Sequence, residues 1–185
     1  NDPFKVQKYA QIMIDQQKKF NILSVIKHFP GHGQTIVDSH FKLPIHSDES
    51  SFESYDMYPF YKLIKKGAQA IMISHVMYPK IDSKYPASLS SKLISKILIN
   101  ELNFNGLIFS DDINMGAIKN SYGLKEAWIK SVSAGIDQVI MIASYEKMNS
   151  VFVQLDKMIY QNKKLYDILI QNSTQILSFK QNHIN

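Results

Sequence analysis

Three of the chain's six histidines fall in one polar stretch: Lys27-His28-Phe29-Pro30-Gly31-His32-Gly33, followed by Asp38-Ser39-His40. The ordinary pKa of imidazole lies nearest neutrality, so the ring can give a proton and take one back. Asp38 suits His40 as an orienting partner. By accepting one ring N–H it fixes the tautomer, favours the protonated ring and leaves the second nitrogen free to exchange a proton. The competing reading is a surface turn stabilised by Asp38 beside an idle histidine. Pro30, Gly31 and Gly33 dictate a backbone that is neither helix nor strand.

A second acidic pair, Asp111-Asp112, follows the apolar run Gly106-Leu107-Ile108-Phe109-Ser110. A carboxylate at a strand end can act as a nucleophile toward a sugar. Neighbouring side chains on extended backbone point to opposite sides. With Asp111 in a site, Asp112 is therefore expected to cap the helix that follows with Ile113 and Met115; alternatively, both acids are simply N-caps. His75, in Met72-Ile73-Ser74-His75-Val76, either walls a pocket or hydrogen-bonds internally. His28, His32, His40 and His75 with Asp38 also offer nitrogen and oxygen donors for a metal. However, Pro30, Gly31 and Gly33 oppose a zinc-binding helix, and no Glu adjoins as in H-E-x-x-H. No metal is expected.

The elements that must position these groups follow from the apolar pattern. Asp2-Pro3 reads as a helix start, and Val6, Tyr9, Ala10, Met13 and Ile14 recur at helical spacing. Ile22 to Ile26 reads as a strand, and a long loop runs from His28 to about Ser51. A helix over Met57 to Lys66 and a strand from Ala70 to Ser74 come next. A helix capped by Ser90 then carries Leu93, Ile94, Ile97 and Leu98 on one face. Leu107 to Ser110 is the third strand and Gln138 to Ile142 the fourth, with a helix over Gly123 to Ala134 between them. Two amphipathic segments, about Tyr145 to Tyr160 and Lys164 to Phe179, finish the chain. Apolar strands alternating with amphipathic helices imply an α/β fold with a helix-covered parallel sheet. Each expected strand is followed by a residue of chemical interest: Lys27-His28, His75, Asp111-Asp112 and Ser144. Polar groups gathered at several strand ends favour a (β/α)8 barrel over an open sheet, and no G-x-G-x-x-G is present.

Composition narrows the function classes. The 185 residues suffice for one domain, and no second domain is expected. The absence of cysteine excludes disulfides and cysteine nucleophiles. All 21 basic residues are Lys, which removes bidentate guanidinium clamps. They are scattered, so the net charge of +5 does not make a nucleic-acid footprint. No apolar run approaches the roughly 20 residues of a membrane span. The opening residues carry no targeting pattern and read as the middle of something longer.

The run Lys27 to Gly33, then Asp38-Ser39-His40 and Leu43-Pro44, resembles the signature of family 3 glycoside hydrolases of the bacterial β-N-acetylhexosaminidase type. Ser74-His75-Val76-Met77-Tyr78-Pro79, Pro86-Ala87-Ser88-Leu89-Ser90 and Phe109-Ser110-Asp111-Asp112-Ile113-Asn114-Met115 with Ala117-Ile118 resemble further blocks of that family. Asp2-Pro3 and Gly135-Ile136-Asp137 are similar too. The resemblance spans essentially the whole chain.

The resemblance implies that residues 1–185 supply about the C-terminal half of a (β/α)8 barrel. It implies hydrolysis, with retention, of a terminal β-linked N-acetylglucosamine from peptidoglycan-derived muropeptides in the cytoplasm, without a cofactor. Asp111 matches the nucleophile, and His40 assisted by Asp38 the acid/base. Lys27 and His28 match the sugar-binding pair, and His75 and Met115 complete the expected substrate-binding set. A histidine in place of the usual second carboxylic acid would also let an anionic acceptor approach, so a phosphorolytic variant is an alternative. Family members carry an Asp and Arg side chains in the N-terminal half, which this sequence lacks. The missing half is accordingly the expected partner, and a catalytically incomplete subunit that only binds sugar or assembles is the other alternative.

Overall fold

The computed structural model describes residues 2–33, 35, 37–46 and 52–183. Helix α1, Pro3–Lys19, starts where Asp2 accepts hydrogen bonds from the N–H groups of Phe4 and Lys5, with Pro3 in the first turn. It ends with Asn21 in the left-handed region at φ 55°. The N–H of Ile22 then returns to the Gln17 carbonyl and that of Asn21 to Lys18. Ile22, expected to open the first strand, is thus consumed by the helix terminus. Strand β1 covers Val25–Phe29 instead, so Lys27 and His28 stand inside the strand rather than after it.

β1, β2 (Ala70–Ile73) and β3 (Leu107–Ser110) form a parallel sheet in the order β1-β2-β3. Between β1 and β2 the register runs Lys27 to Met72 and then Phe29 to Ile73, leaving His28 as an extra residue. This bulge resets the alternation: Phe29 turns into the core, while the adjacent Lys27 and His28 both stay accessible. The expected fourth strand reduces to a parallel bridge between Phe109 and Gln138. The next donors on that segment are met by side chains rather than by a backbone ladder. The Ile140 N–H goes to Ser110 Oγ, and the Ile142 N–H to Asp112 Oδ1.

The helices largely follow the apolar pattern. α2 is Tyr58–Lys65, preceded by a wide helical turn at Phe52–Asp56. A wide helix over Lys92–Glu101, with i→i−5 bonding such as Lys96 N–H to the Ser91 carbonyl, buries Leu93, Ile94 and Leu98. Ser90 Oγ accepts from the Leu93 N–H and donates to Asp82. After β3 come a single turn α3 (Gly116–Lys119), then α4 (Leu124–Ala134), α5 (Tyr145–Gln161) and α6 (Lys163–His183). One core joins the sheet to α2 and the wide helix through Phe29, Phe60, Ile71, Ile73, Leu93 and Ile108. A second packs Ile113, Ile118, Ala127 and Leu155 beneath α4 and α5. Three parallel strands covered by helices bear out the α/β class. No helix among the described residues is long and apolar enough to cross a membrane.

Candidate active site

Each candidate group hangs from the C-terminal end of the sheet or from a loop docked there. β3 delivers Asp111, whose N–H is bonded to the Ile73 carbonyl at the end of β2. Its Oδ1 accepts from the N–H of Asp112, which holds the carboxylate close to the chain. Its Oδ2 lies 3.5 Å from His28 Nε2. The two side chains keep 20% and 27% of their surface exposed, so both can meet a ligand.

Burial lowers the pKa of His28, an effect the Asp111 carboxylate opposes and Lys27 reinforces. The ring is therefore disposed to be neutral near neutral pH. His32 sits edge-on to His28, with ring centroids 5.5 Å apart. Burial lowers its pKa too, against the pull of Asp111 first and Asp38 second. His32 thus feels both acids, a position that its motif did not single out among the three histidines.

Asp38 Oδ1 lies 2.7 Å from His40 Nδ1 and also accepts from the His40 backbone N–H at 2.8 Å. That backbone donor, followed by the ring, holds the Asp38 carboxyl below the usual carboxylate range. The one carboxylate oxygen thus closes an Asx turn and also meets the ring, so the two alternatives on sequence alone share a single geometry. Its anchorage comes from beyond β3: the N–H groups of Gly116 and Ala117 donate to the carbonyls of His40 and Ser39. Asn120 Nδ2 adds a bond to the Phe41 carbonyl. A Cβ on Gly116 would lie 2.4 Å from the Phe41 oxygen and 2.6 Å from that of His40. No pattern marked Gly116, because the requirement arises from a segment 75 residues away.

Two expected substrate-binding residues are placed differently. His75 is fully buried. Its Nε2 lies 2.9 Å from the Asp112 carbonyl and its Nδ1 2.7 Å from Ser88 Oγ. A carbonyl only accepts, so Nε2 carries the proton and Ser88 donates to Nδ1. Burial lowers the pKa of this ring. With both nitrogens occupied inside the protein, His75 supports the backbone behind Asp111 instead of walling a pocket. Met115 is packed into the core with 9% of its surface exposed, because its segment folds under the Ser39–His40 loop. Lys27 stands exposed on β1.

Asp112 does not cap a helix. Its Oδ1 takes the N–H groups of Asn114 and Ile142, closing a turn and tying down the segment after Gln138. Among the described residues, no group of three or more His, Asp or Glu side chains is gathered to hold a metal ion.

Comparison with known proteins adds a separate line of support. The family description "Glycosyl hydrolase family 3 N terminal domain" matches residues 1–176. The chain is 37% identical over 153 residues to a beta-hexosaminidase of Methylobacillus flagellatus, covering 81% of this chain and 43% of that protein. It is 35% identical over 175 residues to a beta-hexosaminidase of Photobacterium profundum, covering 94% of this chain and 51% of that one. The chain thus spans about half the length of these relatives, or less. Among solved structures, it is similar to a glycoside hydrolase family 3 beta-N-acetylglucosaminidase from Paenibacillus sp. at TM-score 0.80 and 30% identity. That match covers 90% of this chain and 32% of the other. The beta-N-acetylglucosaminidase from Thermotoga maritima is similar at TM-score 0.85 and 26% identity, covering 96% and 39%.

Proposed function

The chain belongs to glycosyl hydrolase family 3, and from that membership we propose that it contributes the catalytic half of a retaining β-N-acetylhexosaminidase. Asp111 is the nucleophile. It attacks the anomeric carbon of a terminal β-linked N-acetylglucosamine and forms a covalent glycosyl-enzyme, while His40 protonates the departing oxygen. His40 then takes a proton from the water that releases the sugar. Asp38 orients the ring and stabilises its protonated form. Lys27 and His28 hold sugar hydroxyls beside Asp111, and His32 adds a third polar group there.

The observation that carries this reading is the Asp111–His28 approach at a sheet end. The Asp38–His40 pair is docked by backbone bonds to the segment that follows the same carboxylate. The substrate is a muropeptide fragment of peptidoglycan or another β-N-acetylglucosaminide, met in the cytoplasm. Residues 1–185 form the C-terminal portion of a (β/α)8 barrel, and the remaining strands of the barrel are the partner. Two features support that closure: β1 is an edge strand among the described residues, and α1 exposes Phe4, Val6, Tyr9 and Met13 beside it.

The test is hydrolysis of a chromogenic β-N-acetylglucosaminide by the full-length natural protein. Turnover with retention is expected, and Asp111→Gly should lower it by more than about 10³-fold. Unchanged turnover in that variant would remove Asp111 from the role.

A further inference from the structure

The chemistry proposed above leaves one buried polar pair unused. His46 Nε2 lies 2.8 Å from Asp56 Oδ2, and the two side chains are only 3% and 5% exposed. A carboxylate withdrawn from water is costly unless donors meet its oxygens, and His46 meets one of them. The pair is walled by aromatic rings. Tyr78 stacks on His46 at 5.2 Å, and Phe52 closes its edge at 5.5 Å. The His46 N–H also donates to the Met77 carbonyl, which ties the pair to the chain leading into Tyr78.

Asp56 is pressed against the glycine turn that follows His28. A Cβ on Gly31 would meet Asp56 Cβ at 2.8 Å, and one on Gly33 would meet Asp56 Oδ1 at 2.5 Å. Both glycines have positive φ, 125° and 51°. The turn is gripped from a second side by the Tyr78 hydroxyl, which donates to the Gly31 carbonyl. The turn itself is closed by the Gly31 N–H on the His28 carbonyl, and it carries His32 between the two glycines. The turn thus links Asp56 to both imidazoles that feel the Asp111 charge, to His28 through its carbonyl and to His32 within the turn itself.

We propose that Asp56, held by His46, is a positioning residue that seats the Gly31–Gly33 turn and so sets where His28 and His32 stand relative to Asp111. Its catalytic consequence rests on the reading of Asp111 as nucleophile, but its structural content does not. The test uses ¹⁵N-histidine NMR of the full-length protein, with hydrolysis of a chromogenic β-N-acetylglucosaminide measured in parallel. In Asp56→Asn the imidazole resonances of His28 and His32 should move along with that of His46, while that of His183 stays. In the same variant kcat/KM should fall roughly 10- to 100-fold, the scale of a sub-ångström to 1 Å misplacement.

Leu155→Ala, a truncation in the second core beneath α4 and α5, is the control for lost stability and should leave both readouts unchanged. Static His28 and His32 signals in Asp56→Asn would overturn the proposal, as would equal movement in Leu155→Ala. If Asp56→Asn does not fold, His46→Gln takes its place, with the same expectations for the His28, His32 and His183 resonances and for kcat/KM. If the wild-type protein shows no turnover, the function assigned above fails, and the spectra alone still decide whether Asp56 seats the turn.

Discussion

His28 Nε2 approaches Asp111 Oδ2 to 3.5 Å from a strand two positions away across the sheet. The gap exceeds a normal N–H···O bond, so both atoms remain free to bind a ligand. Replacing His28 with Phe keeps the ring volume and removes the donor. This variant should raise KM more than it lowers kcat, with kcat/KM reduced about 10- to 100-fold, measured by initial rates on a chromogenic β-N-acetylglucosaminide.

The Asp38–His40 pair is a unit, and its loss should be strongly non-additive. Asp38→Ala and His40→Ala should each lower kcat by about 10²- to 10⁴-fold, the usual range for one acid/base group. The double variant should be barely worse than His40→Ala alone. Additive losses in the double variant would mean that the carboxylate acts independently of the ring.

Gly116 tests how the Asp38–His40 loop is anchored. Its missing Cβ is what lets the carbonyls of His40 and Phe41 lie against the start of α3. Gly116→Ala should displace that loop, lowering kcat by at least about tenfold. The strand-end carboxylate would be undisturbed, so burst labelling by a slow covalent substrate should persist. Wild-type kcat in this variant would show that the loop is not held there during turnover.

His75 gives a pH signature with a definite sign. Its pKa is lowered by burial, so the folded state disfavours the protonated ring. The unfolded chain takes up that proton near 6.5. The contribution of His75 to stability is therefore complete above about pH 6.5 and is lost as pH falls below it. Urea unfolding between pH 5 and 8 should show this decline. In His75→Gln the decline should be shallower, on a baseline about 1–3 kcal/mol lower for the disrupted Ser88 and Asp112 contacts.

Asp137 behaves in the opposite sense. Burial pushes its carboxyl up to about 6, only partly offset by the Ile108 N–H that it accepts. The folded state thus binds a proton that the unfolded state has already released, and stability is lost as pH rises from about 4 to 6. Asp137→Asn imitates the protonated form and retains an acceptor. It should raise stability above pH 6 by on the order of 1–3 kcal/mol and have little effect near pH 4. Equal effects at both pH values would point to packing rather than ionisation.

Much of this was legible from residue order alone. Local chemistry acts between near neighbours, so Asp2-Pro3 marked the start of α1, and the Leu107–Ser110 run marked β3 to the residue. Asp38 and His40 form their bond within a single turn, and the sequence spacing already contained it. The end of β3, the end of β2 to within one residue, and the acidic pair at 111 and 112 followed from the alternation of apolar runs with polar stops. Other features depended on partners far along the chain. The start of β1 moved because Asn21 could adopt a left-handed conformation and draw Ile22 into the helix terminus. His28 turned toward Asp111 because the register against β2 slips by one residue at that point. The fate of His75 was decided by Ser88 and by a carbonyl 37 residues away. Asp112 became a tie to Ile142 instead of a helix cap, and the seat of the glycine turn proved to be Asp56. Periodicity and capping are short-range properties written in composition. Which donor meets which acceptor across the fold is fixed only when the chain packs, because each buried polar group takes the partner that packing brings within reach.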